Sequence, residues 1–129
     1  MHLHQSFALS TFPIRKYYHA VAFDFDGTLV PTMHEYARIA SEEMASLYGL
    51  ADETGRQLYL ETSGVPFFQQ LDLIFGPDRR NETCSKRFED RKADYLETVT
   101  LDEPTREALW RLRRQGFSTG VTSNNYEQP

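Results

Sequence analysis

The stretch that decides the fold is Ala20–Val30, AVAFDFDGTLV. An apolar run, Ala20 to Phe23, ends in two aspartates one residue apart, Asp24 and Asp26, followed by Gly27 and Thr28. Such a run reads as a buried strand, and Asp24 stands where that strand meets solvent. Alternation along an ideal strand puts both aspartates on the same side, where two like charges repel unless something positive lies between them. A hard cation with oxygen ligands, of the kind that serves phosphoryl transfer, supplies that charge. The plain alternative is a strand followed by a turn, because Asp-Gly is a common turn dipeptide.

Outward from this stretch, the first strand is expected over Tyr18–Phe23, and after Thr32 the apolar period changes. Tyr36, Ile39, Ala40, Met44 and Leu47 fall at helical spacing from about Met33, and Gly49 is placed to stop that helix. Asp52 reads as the N-cap of a short helix through Leu58, Tyr59 and Leu60, ending near Gly64. A third helix holds Phe67, Phe68, Leu71, Ile74 and Phe75 and is stopped by Gly76-Pro77. Arg79 to Val99 is highly charged, with Phe88, Tyr95, Leu96 and Val99 as sparse apolar positions. It reads as one exposed helix with a narrow buried stripe. Pro104 suits the first turn of a further helix that starts at Asp102 or Glu103 and stops at Gly116, with Leu109, Trp110 and Leu112 as its apolar residues.

Phe117 to Val121 reads as a second short strand, ending in Thr122-Ser123-Asn124-Asn125. Two strands separated by several helices pair in parallel through a long crossover. In such sheets ligands sit beyond the carboxyl ends of the strands, so topology alone brings Asp24 and Thr122 to one crevice.

Composition narrows the function classes. The chain has 129 residues, 40% hydrophobic and 26% charged, with a net charge of -5 from 14 basic and 19 acidic residues. That balance disfavours a general nucleic-acid-binding role. The densest basic stretch, Arg106–Arg114, reads as the wet face of a helix. The single cysteine, Cys84, cannot form an internal disulfide, so the chain suits a reducing, cytoplasmic setting. Cys84 lies in the polar run Asn81–Lys86 and reads as an incidental thiol. No apolar run approaches membrane-spanning length. Residues 1–17 read as a flexible N-terminal extension without the order of a signal peptide, and His2 and His4 within it read as incidental.

The Ala20–Val30 run resembles the first motif of the haloacid dehalogenase-like (HAD) superfamily, a hydrophobic strand followed by D-x-D-G-T-L/V. The late strand ending in Thr122 resembles the second motif, a hydrophobic strand ending in Ser or Thr. The resemblance implies an α/β fold. Residues 18–32 and 99–129 would form part of a Rossmann-like core, its first two parallel strands, and residues 33–98 an inserted helical cap. The branch with such a cap is that of phosphoglycolate phosphatase and β-phosphoglucomutase.

By the same resemblance Asp24 is the nucleophile that forms an aspartyl-phosphate, and Asp26 is general acid and then general base. The neighbouring carboxylate is expected to raise the apparent pKa of the pair. Mg2+ would be held by Asp24 and the main-chain carbonyl of Asp26. Gly27 would allow the sharp backbone path, and Thr28 would buttress the loop through its hydroxyl. Thr122 is the expected phosphate-binding hydroxyl, with Ser123 as the alternative and Asn124 beside them. In the cap, Gly64, Val65 and Pro66 are either a segment presented to the substrate or an ordinary interhelix turn.

By the same resemblance an aspartate at position 26, which dehalogenase members do not carry, implies phosphoryl transfer with a small phosphorylated metabolite as substrate; a phosphomutase of the same superfamily is the alternative. The superfamily's third motif, a lysine, and its fourth, an acidic pair, have no place before Gln128-Pro129. The expectation is therefore the N-terminal part of a longer enzyme, prone to association through unpaired strand edges. A non-catalytic binding module is the reading from a different class.

Overall fold

The computed structural model describes residues 17–123. The elements run β1 (Ala20–Asp24), α1 (Met33–Tyr48), α2 (Asp52–Glu61), α3 (Phe67–Phe75), α4 (Arg80–Leu96), α5 (Glu103–Arg114) and β2 (Ser118–Thr122). The fold is α/β, and its described sheet is the parallel pair β1–β2. The chain divides into two compact units. One holds the described residues up to Val30 together with those from Thr100 onward, and the other is Pro31–Val99.

In the first unit, β1 and β2 pair residue for residue, from Ala20 against Ser118 to Asp24 against Thr122. Each strand lies later in the chain than its apolar run suggests: β1 takes in Asp24 and β2 takes in Thr122. The ladder sets these ends. It opens with the Ser118 amide donating to the His19 carbonyl at 2.9 Å and continues past the apolar residues on both strands. Asp102 caps α5 by accepting from the Thr105 amide at 2.8 Å, with Pro104 in the first turn, where its missing N–H costs nothing. That helix ends at Arg114 with Gln115 as its C-cap, so Gly116 lies one residue beyond the cap. No residue of α5 is buried, and Trp110 is exposed.

The Pro31–Val99 unit is a helical bundle with α1 packed on α2 and α4, and α3 on α4. Its core takes Tyr36, Ile39 and Met44 from α1, Tyr59 from α2, Phe67 and Leu71 from α3, and Cys84 and Phe88 from α4. Phe88 sits at the centre of an aromatic cluster, with ring centroids 4.3 Å from Phe67, 5.7 Å from Tyr59 and 6.3 Å from Tyr36. Burying each such ring is worth about 2–3 kcal/mol before entropy is charged against it.

Cys84 lies inside this core although the run around it is polar. It is fully buried with Asn81, because positions 81, 84 and 88 share one face of α4 and that face packs against α1 and α3. Asn81 accepts from the Tyr48 hydroxyl and donates to Asp72 at 2.7 Å and to the Gly76 carbonyl at 3.0 Å, tying α1, α3 and α4 together. The charged face of α4 is used as well. Buried Glu43 receives Arg91 at 2.8 Å as a hydrogen bond and Arg87 at 2.8 Å as an ion pair without hydrogen-bond alignment.

Gly49 ends α1 in the left-handed conformation, φ 71°, and its amide caps the Ala45 carbonyl at 3.0 Å. Asp52 is not an N-cap. Ala51 occupies that position with extended backbone, and Asp52 instead accepts from the Ser41 hydroxyl at 2.7 Å and from Arg56 at 2.9 Å. The nearby hydroxyl and guanidinium outcompete the helix's own amides for its oxygens. The same helix ends at Glu61, three residues short of Gly64. Among the described residues no helix is long and apolar enough to cross a membrane.

Candidate active site

Asp24 is the last residue of β1, exposed, and lies directly across the ladder from Thr122. The parallel register thus sets a carboxylate and a hydroxyl side by side at the carboxyl end of the sheet. Thr122 Oγ1 donates to the Phe23 carbonyl at 3.4 Å. That is longer than the usual O–H···O range, so this bond exchanges readily for a better acceptor. Ser123 follows in the same exposed strand end. Asn124 lies outside the described residues.

After Asp24 the chain folds into a small closed loop. The Phe25 carbonyl receives the amides of Thr28, Leu29 and Val30 at 3.4, 3.0 and 3.3 Å, and the Gly27 amide donates to the Val30 carbonyl at 2.8 Å. Asp26 forms an isolated parallel bridge with Val30. Gly27 has φ 73°, a backbone state that residues with a Cβ adopt only at a cost. Leu29 and Val30 are buried and anchor the far side of the loop, whereas Asp26 is half-buried. Thr28 enters this network through its backbone amide.

The strand stops at Asp24, so the pleat does not place the two aspartates relative to one another. The loop does, because Asp26 is already held by the backbone ring around Phe25. No sequence signal singles out the Phe25 carbonyl as the hub of that ring, since any side chain at position 25 offers the same carbonyl.

The donor chemistry suits a hard cation, since the Asp24 carboxylate and the Asp26 main-chain carbonyl are oxygen donors, with no sulfur or imidazole. Among the described residues no group of three or more His, Cys, Asp or Glu could together hold a metal ion. Two such oxygens fit Mg2+, which keeps several waters and shares its remaining positions with substrate phosphate. A cavity of 420 Å3 lies elsewhere, at the amino end of β2, lined by Arg113, Gly116, Phe117, Ser118 and Thr119. It opens at the end of the strand opposite Thr122 and holds none of the candidate groups.

Gly64, Val65 and Pro66 belong to the other unit, in the exposed turn between α2 and α3. Of the arginines near them in sequence, Arg56 pairs with Asp52 at 2.9 Å, and Arg80 pairs with Asp78 at 2.7 Å while lying over the Tyr48 ring.

A family model described as haloacid dehalogenase-like hydrolase matches residues 21–129. Neither the curated proteins nor the solved structures gave a match to the chain.

Proposed function

Because the chain belongs to the haloacid dehalogenase-like hydrolases, we propose that it is a phosphatase-type hydrolase that cleaves a small phosphomonoester through an aspartyl-phosphate on Asp24. The observation that carries this reading is the register of the sheet. Asp24 and Thr122 are direct partners at the carboxyl ends of adjacent parallel strands, where α/β sheets take their ligands.

In the first step a carboxylate oxygen of Asp24 attacks phosphorus and the bond to the ester oxygen breaks, while Asp26 gives its proton to that leaving oxygen. In the second, Asp26 removes a proton from water as the water oxygen attacks phosphorus. The bond to Asp24 then breaks, releasing inorganic phosphate and restoring the carboxylate. Thr122 donates to a phosphoryl oxygen, its long bond to Phe23 being the one it gives up. Ser123 and Asn124 are the next donors along the chain.

Gly27 and Thr28 keep Asp26 in place through the loop's backbone bonds. Asp24 and Asp26 would hold Mg2+, whose charge offsets that of the phosphoryl group. The helical unit is assigned substrate selection, with Gly64, Val65 and Pro66 as the selecting turn. The partner is a small phosphorylated metabolite, and a reducing, cytoplasmic setting suits the lone thiol.

The test is hydrolysis of p-nitrophenyl phosphate with Mg2+ by the native chain and by Asp24→Asn. An amide in place of the nucleophile is expected to lower the rate by about a thousandfold or more. Hydrolysis that survives Asp24→Asn overturns the assignment.

A further inference from the structure

The turn between α2 and α3 is clasped by a buried amide. Gln70 lies in the first turn of α3 and is only 3% exposed. Its Oε1 accepts from the Thr62 hydroxyl at 2.9 Å, and its Nε2 donates to the Val65 carbonyl at 3.1 Å. One side chain thereby joins both ends of the Ser63–Val65 segment. The Thr62 hydroxyl has a single proton, which it divides among Gln70, the Leu58 carbonyl at 2.7 Å and the Tyr59 carbonyl at 3.4 Å. The donation to Val65 is therefore the undivided half of the clasp.

Burying an amide costs free energy unless its hydrogen bonds are made, and a leucine would fill similar volume without that cost. Both bonds described for the Gln70 amide go to the turn: one to a side chain at its start, the other to a main-chain carbonyl within it. What the amide supplies is the turn's shape. The clasped segment is flanked by apolar side chains held in solvent, Leu60 at 48%, Val65 at 38% and Phe68 at 45% exposure. An exposed turn with apolar edges and a fixed backbone is suited to reading a ligand.

We infer that Gln70 is a positioning residue: through Thr62 and Val65 it sets the shape of the Ser63–Pro66 turn and does not itself touch substrate. The inference rests on the reading above, in which that turn selects the substrate.

The test uses the full chain with Gln70→Leu, which keeps approximate volume and removes both bonds. Thr62→Ser keeps the hydroxyl and serves as the conservative variant. Thr62→Val opens the clasp from its other side should Gln70→Leu unfold the chain. Backbone order parameters are measured at Gly64 and Val65 by nitrogen relaxation, and KM and kcat are measured for p-nitrophenyl phosphate and glycerol 2-phosphate.

In Gln70→Leu the order parameters are expected to fall from about 0.85 to below about 0.6, with α1 and α4 unchanged. The ratio of the two KM values is expected to shift about fivefold with kcat for each ester little altered, and Thr62→Ser to stay near native on every readout. Native order parameters at Gly64 and Val65 in a folded Gln70→Leu chain overturn the inference, and so does a loosened turn with an unchanged KM ratio. A native chain that hydrolyses neither ester counts against hydrolysis by this chain and not against Gln70, on which the relaxation data then decide by themselves.

Discussion

Gly27→Ala separates the shape of the Asp26 loop from the presence of its carboxylates. Gly27 has φ 73°, and its amide closes the loop on the Val30 carbonyl at 2.8 Å. A residue with a Cβ in this left-handed state costs about 1–2 kcal/mol. If the loop relaxes to escape that strain, Gly27 leaves positive φ and its bond to Val30 and the Asp26–Val30 bridge are lost. The carboxylate of Asp26 then moves from the place the ring around Phe25 gives it. A cost of about 1–2 kcal/mol reduces the population of the productive loop by about five- to thirtyfold. The rate constant kcat for p-nitrophenyl phosphate is expected to fall by that factor with KM little changed, since no group assigned to hold the phosphate has been removed.

Gly49→Ala is the matched control. Gly49 has φ 71°, and a Cβ there meets nothing within 4 Å, so the substitution introduces backbone strain of the same size and no clash. It strains the end of α1 in the helical unit and should lower stability by about 1–2 kcal/mol in urea unfolding while leaving hydrolysis at the native rate. Initial rates and unfolding curves on both variants complete the comparison. A Gly27→Ala chain that hydrolyses at the native rate refutes the argument that the loop conformation makes the site. Equal losses of activity in the two variants refute it too, because strain anywhere would then suffice.

Two further outcomes follow from the electrostatics of the helical unit. Asp78 is held down at about 2, first by the Arg80 guanidinium and then by the Arg80 amide, and Glu42, Glu35 and Asp52 are lowered by Arg91, Arg38 and Arg56 respectively. A carboxylate with a depressed folded pKa contributes stability above its unfolded pKa and loses it as pH falls through the folded value. The melting temperature should therefore hold from neutral pH to about 5 and decline between about 4.5 and 2, more shallowly in Arg80→Ala; circular dichroism melts that stay flat across that window contradict the pairing. Burial pushes the Cys84 thiol up to about 12, with the Glu43 charge adding to it. At pH 8 its reaction with dithiobis-nitrobenzoate should be limited by opening of the helical unit and accelerate with urea, and labelling of the native chain at the rate of a free cysteine would show that the α4 face is not packed as described.

Much of this protein is written in short stretches of its sequence. The helix stops at Gly49 and Gly76 and the Asp102–Pro104 start of α5 are legible because each depends on the backbone preferences of a few adjacent residues. The DFDGTLV run and a later apolar strand ending in Thr122 are local in the same sense, and they were enough to point to the family and to parallel strands joined by helices.

Pairings between residues far apart in the chain are another matter. Asn81 and Cys84 sit in a polar run, yet they are buried because Tyr48, 33 positions before Asn81, supplies a hydroxyl there and α1 and α3 pack over that face. Asp52 looks like a cap, but Ser41 and Arg56 claim its oxygens. The register that sets Asp24 beside Thr122, the ring of amides around the Phe25 carbonyl, and the clasp of Gln70 on Thr62 and Val65 are likewise decided by the folded structure. Sequence alone determined the family and which segments are strand or helix, since those are properties of neighbours. Tertiary structure decided which polar groups meet, because a hydrogen bond is satisfied by whatever folding brings within reach.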